Sequence, residues 1–154
     1  MFLKEQSATF NDEEHGIGSM TNYTFENLDE WTNKIEDRLE TVFRKISLDA
    51  FTEVILKTPV DRGRARGSWD VSIGRVPTGA VELNDKTGTA TIGKVQAEVL
   101  GLKSGQTIYL ISNLAYIRKL EEGWSGQAPN GMVKLTVQRF QKIADAATRE
   151  LSKG

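Results

Sequence analysis

Few residues of this chain could form a catalytic or metal site. It contains one histidine, His15, and no cysteine, which removes thiolate zinc sites, thiol nucleophiles and disulfides. A Ser-His-Asp triad would have to use His15, which follows Asp12, Glu13 and Glu14 in an acidic stretch. We interpret His15 as a solvent-exposed side chain. We therefore expect no catalytic residue, no metal and no cofactor.

One segment matches part of a nucleotide-binding motif. Residues 88–95, G-T-A-T-I-G-K-V, have the spacing G-x-x-x-x-G-K of a phosphate-binding loop. Val95 stands where a Ser or Thr hydroxyl must hold magnesium, and no alternation of strands and helices surrounds the segment. The apolar spacing over 89–101 instead favours a helix. Nucleotide-dependent catalysis therefore ranks third among the functional hypotheses.

Arg62, Arg64 and Arg66 form the one local basic patch. In an extended segment, residues at i, i+2 and i+4 project to the same side. Three interpretations are open, in this order: contact with carboxylates of a partner chain, local structure with Asp61 paired to Arg64, and nucleic acid. Aromatic residues for base stacking are absent apart from Trp69. We predict that Arg64 and Arg66 form salt bridges between subunits.

The composition is that of an ordinary globular domain. The chain has 154 residues, 38% hydrophobic and 27% charged, with 20 basic and 21 acidic side chains and a net charge of −1. So small a net charge gives no overall attraction to nucleic acid or to anionic membranes. No stretch approaches the ~18 apolar residues of a membrane span, and the N-terminus lacks the apolar run of a signal peptide. We expect a protein that stays inside the cell that makes it.

Two amphipathic helices are the strongest predictions from the spacing. Apolar residues recur in steps of three and four from Leu28 to Val54, which predicts a helix from about 28 to 56 with Asn27 as its N-cap. That helix would be about 43 Å long, so we expect part of it to serve a neighbour. A second helix is predicted over 133–151, entered from Asn130 as N-cap.

The two helices carry opposite charge, which would guide one to the other within or between chains. Residues 28–57 have five basic and seven acidic side chains, whereas residues 133–153 have five basic and two acidic. Between them we predict a half-buried strand over 66–74 with Trp69 in the core, a short strand at 81–83, a central strand over 107–112 and a short helix ended by Gly123. Trp124, in the loop after it, is equally consistent with core and interface.

Two motifs resemble a known family. Residues 58–69 read T-P-V-D-R-G-R-A-R-G-S-W, and residues 113–133 run from N-L-A-Y-I to L-E-E-G-W-S-G-Q-A-P-N-G-M-V. They resemble the patterns T-P-V-D-T-G-x-L-x-x-S-W and N-x-x-Y-A-x-x-L-E-x-G-x-S-x-Q-A-P-x-G-M-V of the tail-completion, or neck, proteins of tailed bacteriophages. Arg62, Ala65 and Ile117 depart from these patterns.

The resemblance implies an α+β subunit with a long N-terminal and a C-terminal helix packed on a small, mainly antiparallel sheet. It implies a structural virion protein without enzyme activity, made in the host cytoplasm, that forms a ring of commonly six copies at the head-tail junction. The ring would contact the head-side connector and the tail tube or terminator, and would enclose the DNA channel without sequence-specific binding and without a membrane. We divide the chain into an acidic extension, 1–23, and one domain, 24–154.

The expected function is thus joining of heads to tails. The alternatives are a tail terminator ring capping the tail tube and, from another class, a small nucleic-acid-binding regulator. The candidate interface residues are Asp61, Arg62, Arg64, Arg66, Tyr116, Glu121, Trp124, Gln127 and Pro129.

Overall fold

The fold is α+β, as predicted, with helices packed on a two-stranded antiparallel sheet. A computed structural model describes residues 25–153, with side chains from residue 27 onward. The predicted extension, 1–23, lies outside the described residues, as does His15. The elements are α1 (Phe25–Lys57), α2 (Arg64–Gly67), β1 (Trp69–Ile73), α3 (Thr89–Val99), β2 (Ile108–Ser112), α4 (Ile117–Glu121), α5 (Val133–Gln138) and α6 (Phe140–Ser152).

The chain divides into two units, Met1–Leu39 and Glu40–Gly154, with the boundary inside α1. In the first unit, the apolar side chains Leu28, Trp31 and Leu39 are exposed by 43%, 62% and 57%. Asn27 lies inside the helix, so its predicted role as N-cap is wrong.

In the second unit, α1 contributes Ala50, Val54 and Ile55 to the core. The helix ends at Lys57, close to the predicted end, and the Thr58 hydroxyl donates to the Val54 carbonyl at 2.8 Å. In this part of the helix the predicted face is buried at Ala50 and Val54, whereas Phe43 of the same face is exposed.

The sheet is smaller than the sequence suggests. β1 and β2 pair antiparallel, with Trp69 opposite Ser112. Within the described residues β2 has one strand neighbour, so its prediction as a central strand is wrong, and the predicted strand at 81–83 is irregular. β1 starts at Trp69 instead of residue 66 because the residues before it form the helical turn α2.

The outer edge of β1 is closed by side chains. In an antiparallel pair, residues whose backbone groups point toward the partner strand alternate with residues whose groups point away from it. The Gly74 N–H donates to the Thr107 carbonyl at 2.8 Å, so the backbone groups of Ile73 and Val71 are among those that point away from β2. The Val71 N–H donates at 3.1 Å to the carboxylate of the preceding residue, and the Ile73 N–H donates at 3.1 Å to Glu98 of α3. No further strand can therefore pair with β1 without displacing these acceptors.

The outer edge of β2 is open in the part of the chain that is described. By the same alternation, the backbone groups of Ile108 and Leu110 point outward, and no backbone group of residues 25–153 bonds to them. No proline or charged residue interrupts the strand, as such residues do on guarded edges.

The core lies between α1, the sheet and α3. Trp69 is 5% exposed, which confirms the prediction that it is a core residue, and its indole N–H donates to the Thr58 hydroxyl at 2.8 Å. This bond satisfies the polar atom of a buried indole. The central cluster consists of Val54, Ile55, Trp69, Val95, Val99, Ala128 and Met132.

The predicted C-terminal helix is two helices. The backbone leaves helical geometry at Arg139, with φ −97° and ψ 0°, which separates α5 from α6. The apolar spacing continues across this break, but the apolar residues are not buried throughout. Ile143 and Ala147 are buried, whereas Val137 and Phe140 are 66% and 49% exposed. The prediction of one continuous amphipathic helix is therefore wrong.

Lys45 links α6 to α1. Its ammonium group lies 2.8 Å from Asp49 and 3.2 Å from Glu150 of α6. The hydrogen bond to Asp49 raises the pKa of Lys45 above its ordinary value of 10.5, with Glu150 adding to the rise and partial burial opposing it. None of the helices described between residues 25 and 153 combines the length and the apolarity needed to cross a membrane.

Candidate functional site

Gln127 joins the two motif segments that lie far apart in the sequence. Its side-chain oxygen accepts the Val60 N–H at 2.8 Å, and its amide nitrogen donates to the Val60 carbonyl at 2.9 Å. A primary amide has an acceptor oxygen and a donor NH2 group in one plane, so it can bind the N–H and the C=O of one backbone residue at the same time. Residues 58–69 and 113–133 therefore contribute to one surface, which we call the motif surface.

A groove of about 390 Å³ runs along the motif surface. Its charged groups come from the first motif, whereas its aromatic group and the uncharged polar side chains of Ser125 and Gln127 come from the second. The lining residues are Pro59, Val60, Asp61, Arg62, Arg64, Ala65, Tyr116, Leu120, Ser125 and Gln127.

Arg66 faces away from this groove and binds the end of α1. Its guanidinium donates to the carbonyls of Leu56 at 2.9 Å, Thr58 at 3.0 Å and Lys86 at 2.8 Å. The last carbonyls of a helix lack partners within the helix, and an arginine side chain satisfies them well. The sequence predicts an intersubunit role for Arg66, but the structure gives its donors internal partners.

The expected row of three arginines on one side of an extended segment is wrong. Arg64 and Arg66 lie in the helical turn α2, not in an extended segment. Gly63 begins this turn with φ +87°, and a Cβ there would lie 2.6 Å from the Lys86 nitrogen, so only glycine fits. Arg64 pairs with Glu82 at 3.2 Å, not with Asp61 as the local interpretation expected.

Asp61 and Arg62 remain on the exposed side of the groove. Within residues 25–153, neither side chain forms a hydrogen bond or an ion pair. Of the five charged candidate interface residues, these are the two whose side chains are available to a partner.

Glu121 caps the start of α5. One carboxylate oxygen accepts the N–H groups of Met132 at 2.9 Å and Val133 at 3.0 Å, and the other accepts that of Lys134 at 2.8 Å. These amides have no partner within the helix, and a carboxylate also interacts favourably with the helix dipole. The predicted N-cap, Asn130, does not take this position. Glu121 thus fixes the loop 122–131 at both ends.

Two glycines allow that loop to close tightly. Gly123 and Gly131 have φ values of +89° and +83°. A Cβ at Gly123 would lie 2.3 Å from the Pro129 carbonyl oxygen, and one at Gly131 would lie 2.7 Å from Glu121. The Pro129 residue itself is exposed.

Two aromatic side chains of the second motif are on the surface. Trp124 is 72% exposed, which settles its position in favour of the surface over the core, and Tyr116 is 42% exposed. The Lys119 ammonium lies 5.0 Å from the centre of the Trp124 ring, a cation–π distance. Exposed aromatic residues beside charged ones are typical of protein interaction sites.

The segment that matches a phosphate-binding loop has a different structure. Gly93 and Lys94 lie inside α3. The amides at the start of that helix are bound by Asp85, whose carboxylate accepts the Gly88 N–H at 2.9 Å and the Thr91 N–H at 2.8 Å. A carboxylate thus occupies the position that a phosphate would need. Between residues 25 and 153, no three potential ligand side chains converge as a metal site.

Asp85 is a buried carboxylate that caps the start of α3, a role that was not predicted from the sequence. Burial alone would raise its pKa, but hydrogen bonds from the Thr91 N–H and hydroxyl, the Gly88 N–H and the Thr87 hydroxyl outweigh burial and lower the pKa below 3.8. The available signal was an aspartate just ahead of a predicted helix, where capping residues are common.

A second surface feature, also missed, is an apolar groove beside the open edge of β2. We call it the α5 groove; its volume is about 320 Å³. Its lining residues are Ala50, Phe51, Val54, Trp69, Ile108, Tyr109, Leu110, Val133, Thr136, Val137 and Phe140. The sequence pattern placed Val137 and Phe140 on a buried face, which hid this groove.

The nine candidate interface residues fall into two groups. The first group has side chains bonded within the chain: Arg64, Arg66, Glu121 and Gln127. The second group is exposed: Asp61, Arg62, Tyr116, Trp124 and Pro129. No family model, curated protein or solved structure matches this chain. Its function is therefore inferred from these surfaces and from the resemblance of its two motifs.

Proposed function

We propose that this chain is a structural virion protein of the neck of a tailed bacteriophage. Copies of the subunit form a ring, of six copies in the family it resembles, between the head connector and the tail. The ring encloses the DNA channel and joins the two parts by binding, without catalysis.

The observation that supports this proposal is the joining of the two motifs by Gln127. The motifs that carry the resemblance lie 67 positions apart at this contact, and the paired hydrogen bonds to Val60 bring them into one surface. If the two motifs served only to form the core, they would not require exposed aromatic and charged side chains on the motif surface. Trp124 and Arg62 are both exposed.

Within the motif surface, one set of residues stabilises the loops and another is exposed on them. Hydrogen bonds formed by the side chains of Glu121, Arg66 and Gln127 fix the loops. The exposed side chains are those of Trp124, Tyr116 and Arg62. Aromatic and arginine side chains carry much of the binding energy at protein interfaces. We therefore assign partner contact to the second set, and this revises the emphasis on Arg64 and Arg66.

The nucleic-acid alternative loses support from the arginine positions. Arg66 binds backbone carbonyls and Arg64 pairs with Glu82, so one of the three guanidinium groups, that of Arg62, stays available for phosphate. A regulator would need several such contacts for useful affinity. A salt-dependent DNA affinity tighter than about 1 μM at physiological salt would favour the regulator over the neck protein.

The decisive experiment is electron microscopy of particles made without this protein. We expect DNA-filled heads beside finished but unattached tails of normal length. Tails of uncontrolled length would instead identify a tail terminator. Normal, fully joined virions would contradict the proposal.

A variant experiment assigns the joining to the motif surface. Trp124→Glu combined with Arg62→Glu should leave the subunit folded, since both side chains are exposed, and should abolish joining of heads to tails. The matched control is Leu100→Glu, which changes an apolar side chain that is 73% exposed and lies outside both grooves. Joining at wild-type yield by the double variant would exclude the motif surface.

A further inference from the structure

The first unit carries an apolar stripe on an exposed stretch of helix. Leu28, Trp31, Ile35 and Leu39 are spaced by three, four and four residues, so they share one face of α1. Three of them are more than 40% exposed, and Trp31 is 62% exposed. Contiguous apolar residues of this size on a soluble protein mark a contact surface.

The α5 groove of the second unit is the concave counterpart. Its rim carries exposed Val133, Val137 and Phe140, at 39%, 66% and 49%. One wall holds the outward backbone groups of Ile108 and Leu110, which have no hydrogen-bond partner among residues 25–153. The groove thus offers apolar walls together with a few polar acceptors, a combination that suits an indole ring.

The two surfaces also have opposite charge. Residues 27–39 have four acidic and two basic side chains. Residues 133–153, which include the groove rim, have two acidic and five basic side chains, and Lys134 and Lys142 are exposed there. Complementary potentials of this kind favour docking and suppress pairing of like surfaces. Contact between two copies of the acidic stripe is disfavoured for the same reason.

We propose that the apolar stripe of α1 in one copy of this chain binds the α5 groove of a second copy. Trp31 enters the groove, and its indole N–H donates to a carbonyl of the open β2 edge. The contact uses two different surfaces, so it is head-to-tail, and such contacts produce a closed ring when the rotation between subunits permits. The inference rests on the proposed function because the contact would join neighbouring subunits of the proposed ring.

The test is a mixing experiment with the full-length protein, followed by sedimentation velocity and light scattering. Trp31→Glu removes the stripe's largest side chain, and Val137→Glu places a charge on the groove rim. Each variant alone should weaken self-association by roughly 30-fold or more, as loss of an interface hot spot does. When the two are mixed, one intact stripe meets one intact groove, so a heterodimer should form and stop at two subunits.

Controls and contrary results are well defined. Both altered side chains are more than 60% exposed, so circular dichroism should show wild-type folding, and Leu100→Glu should assemble normally. Wild-type protein that stays monomeric up to about 1 mM would overturn the inference, since even a weak contact is populated there. Unimpaired assembly by either variant, or failure of the mixture to form a heterodimer, would overturn it as well.

The outcome is separable from that of the proposed function. Head-to-tail assembly by a protein whose removal leaves virions normal would support the contact and refute the neck assignment. Unattached heads and tails in its absence, together with assembly by the Trp31→Glu variant, would support the neck assignment and refute the contact.

Discussion

Asp85 and Glu121 perform the same task in two regions of the molecule, and their settings differ. Each carboxylate accepts backbone N–H groups at the start of a helix, α3 for Asp85 and α5 for Glu121. Asp85 is buried and reaches amides three and six positions ahead, whereas Glu121 is half-buried and reaches amides 11 to 13 positions ahead. The first is a local cap inside the core, and the second holds a loop of the motif surface.

The difference shows that the same interaction can stabilise the core in one place and order an exposed loop in another. Removing Asp85 would leave donors in an environment without water, where an unpaired group is costly. Of the three donors that Glu121 satisfies, those of Val133 and Lys134 belong to exposed residues that water can reach, and that of Met132 belongs to a buried one. Removing Glu121 would therefore leave fewer donors without a partner, but would release the loop that carries Trp124. We therefore expect Asp85 to govern the stability of the fold and Glu121 to govern the order of the motif surface.

The largest expected effect is that of Asp85→Ala. It removes the acceptor for the Gly88 and Thr91 amides and for the Thr91 hydroxyl, and Thr91 is 1% exposed. We expect a loss of about 3 kcal/mol in the free energy of unfolding, measured by urea denaturation. A loss below about 1 kcal/mol would show that this cap is no more critical than an exposed one.

A smaller effect is expected from Glu121→Ala. The free energy of unfolding should fall by about 1.5 kcal/mol, as for loss of an ordinary helix cap. Hydrogen exchange should accelerate at the amides of Met132, Val133 and Lys134 and leave those of α3 unchanged. Equal acceleration in both helices would mean that the two caps are coupled, which would remove the distinction between them. Glu122→Ala, at an exposed neighbouring position, is the matched control.

The smallest effect concerns acid stability. Because the pKa of Asp85 is lowered on folding, its contribution is present above its unfolded pKa and is lost as pH falls through the folded value. Wild-type protein should therefore lose stability below about pH 4 more steeply than Asp85→Asn, by up to about 1.4 kcal/mol for each unit of pKa difference. Parallel stability curves for the two proteins between pH 2 and 6 would contradict this assignment.

The spacing of apolar residues predicted those helices and strands whose sequence carries a regular apolar pattern of its own. α1, α3, α4 and β2 lie close to their predicted bounds, and Trp69 is buried as its alternation required. The helical turn α2 was missed because Gly63 and Gly67 adopt it through contacts with residues 83–86, some 20 positions away. The break between α5 and α6 has no proline or glycine to mark it.

The candidate site was predictable as a set of residues but not as an arrangement. The motifs named Gln127 and Glu121, yet nothing in their spacing shows that one binds Val60 and the other the start of α5. Such pairings depend on the folded path of the chain. The exposed stripe of α1 has the same periodicity as a buried face, so the pattern alone does not show which part of the helix is buried within the chain.

The three tryptophans lie in three different regions of the molecule, one buried and two exposed, so their fluorescence reports on those regions. Trp69 is 5% exposed and bonded to a hydroxyl, whereas Trp31 and Trp124 are 62% and 72% exposed. Emission from Trp69 should be blue-shifted and shielded from iodide, and emission from the other two should be red-shifted and readily quenched. Single-tryptophan versions of the chain would thus follow unfolding through Trp69, the proposed subunit contact through Trp31 and the proposed partner binding through Trp124, each by its own fluorescence.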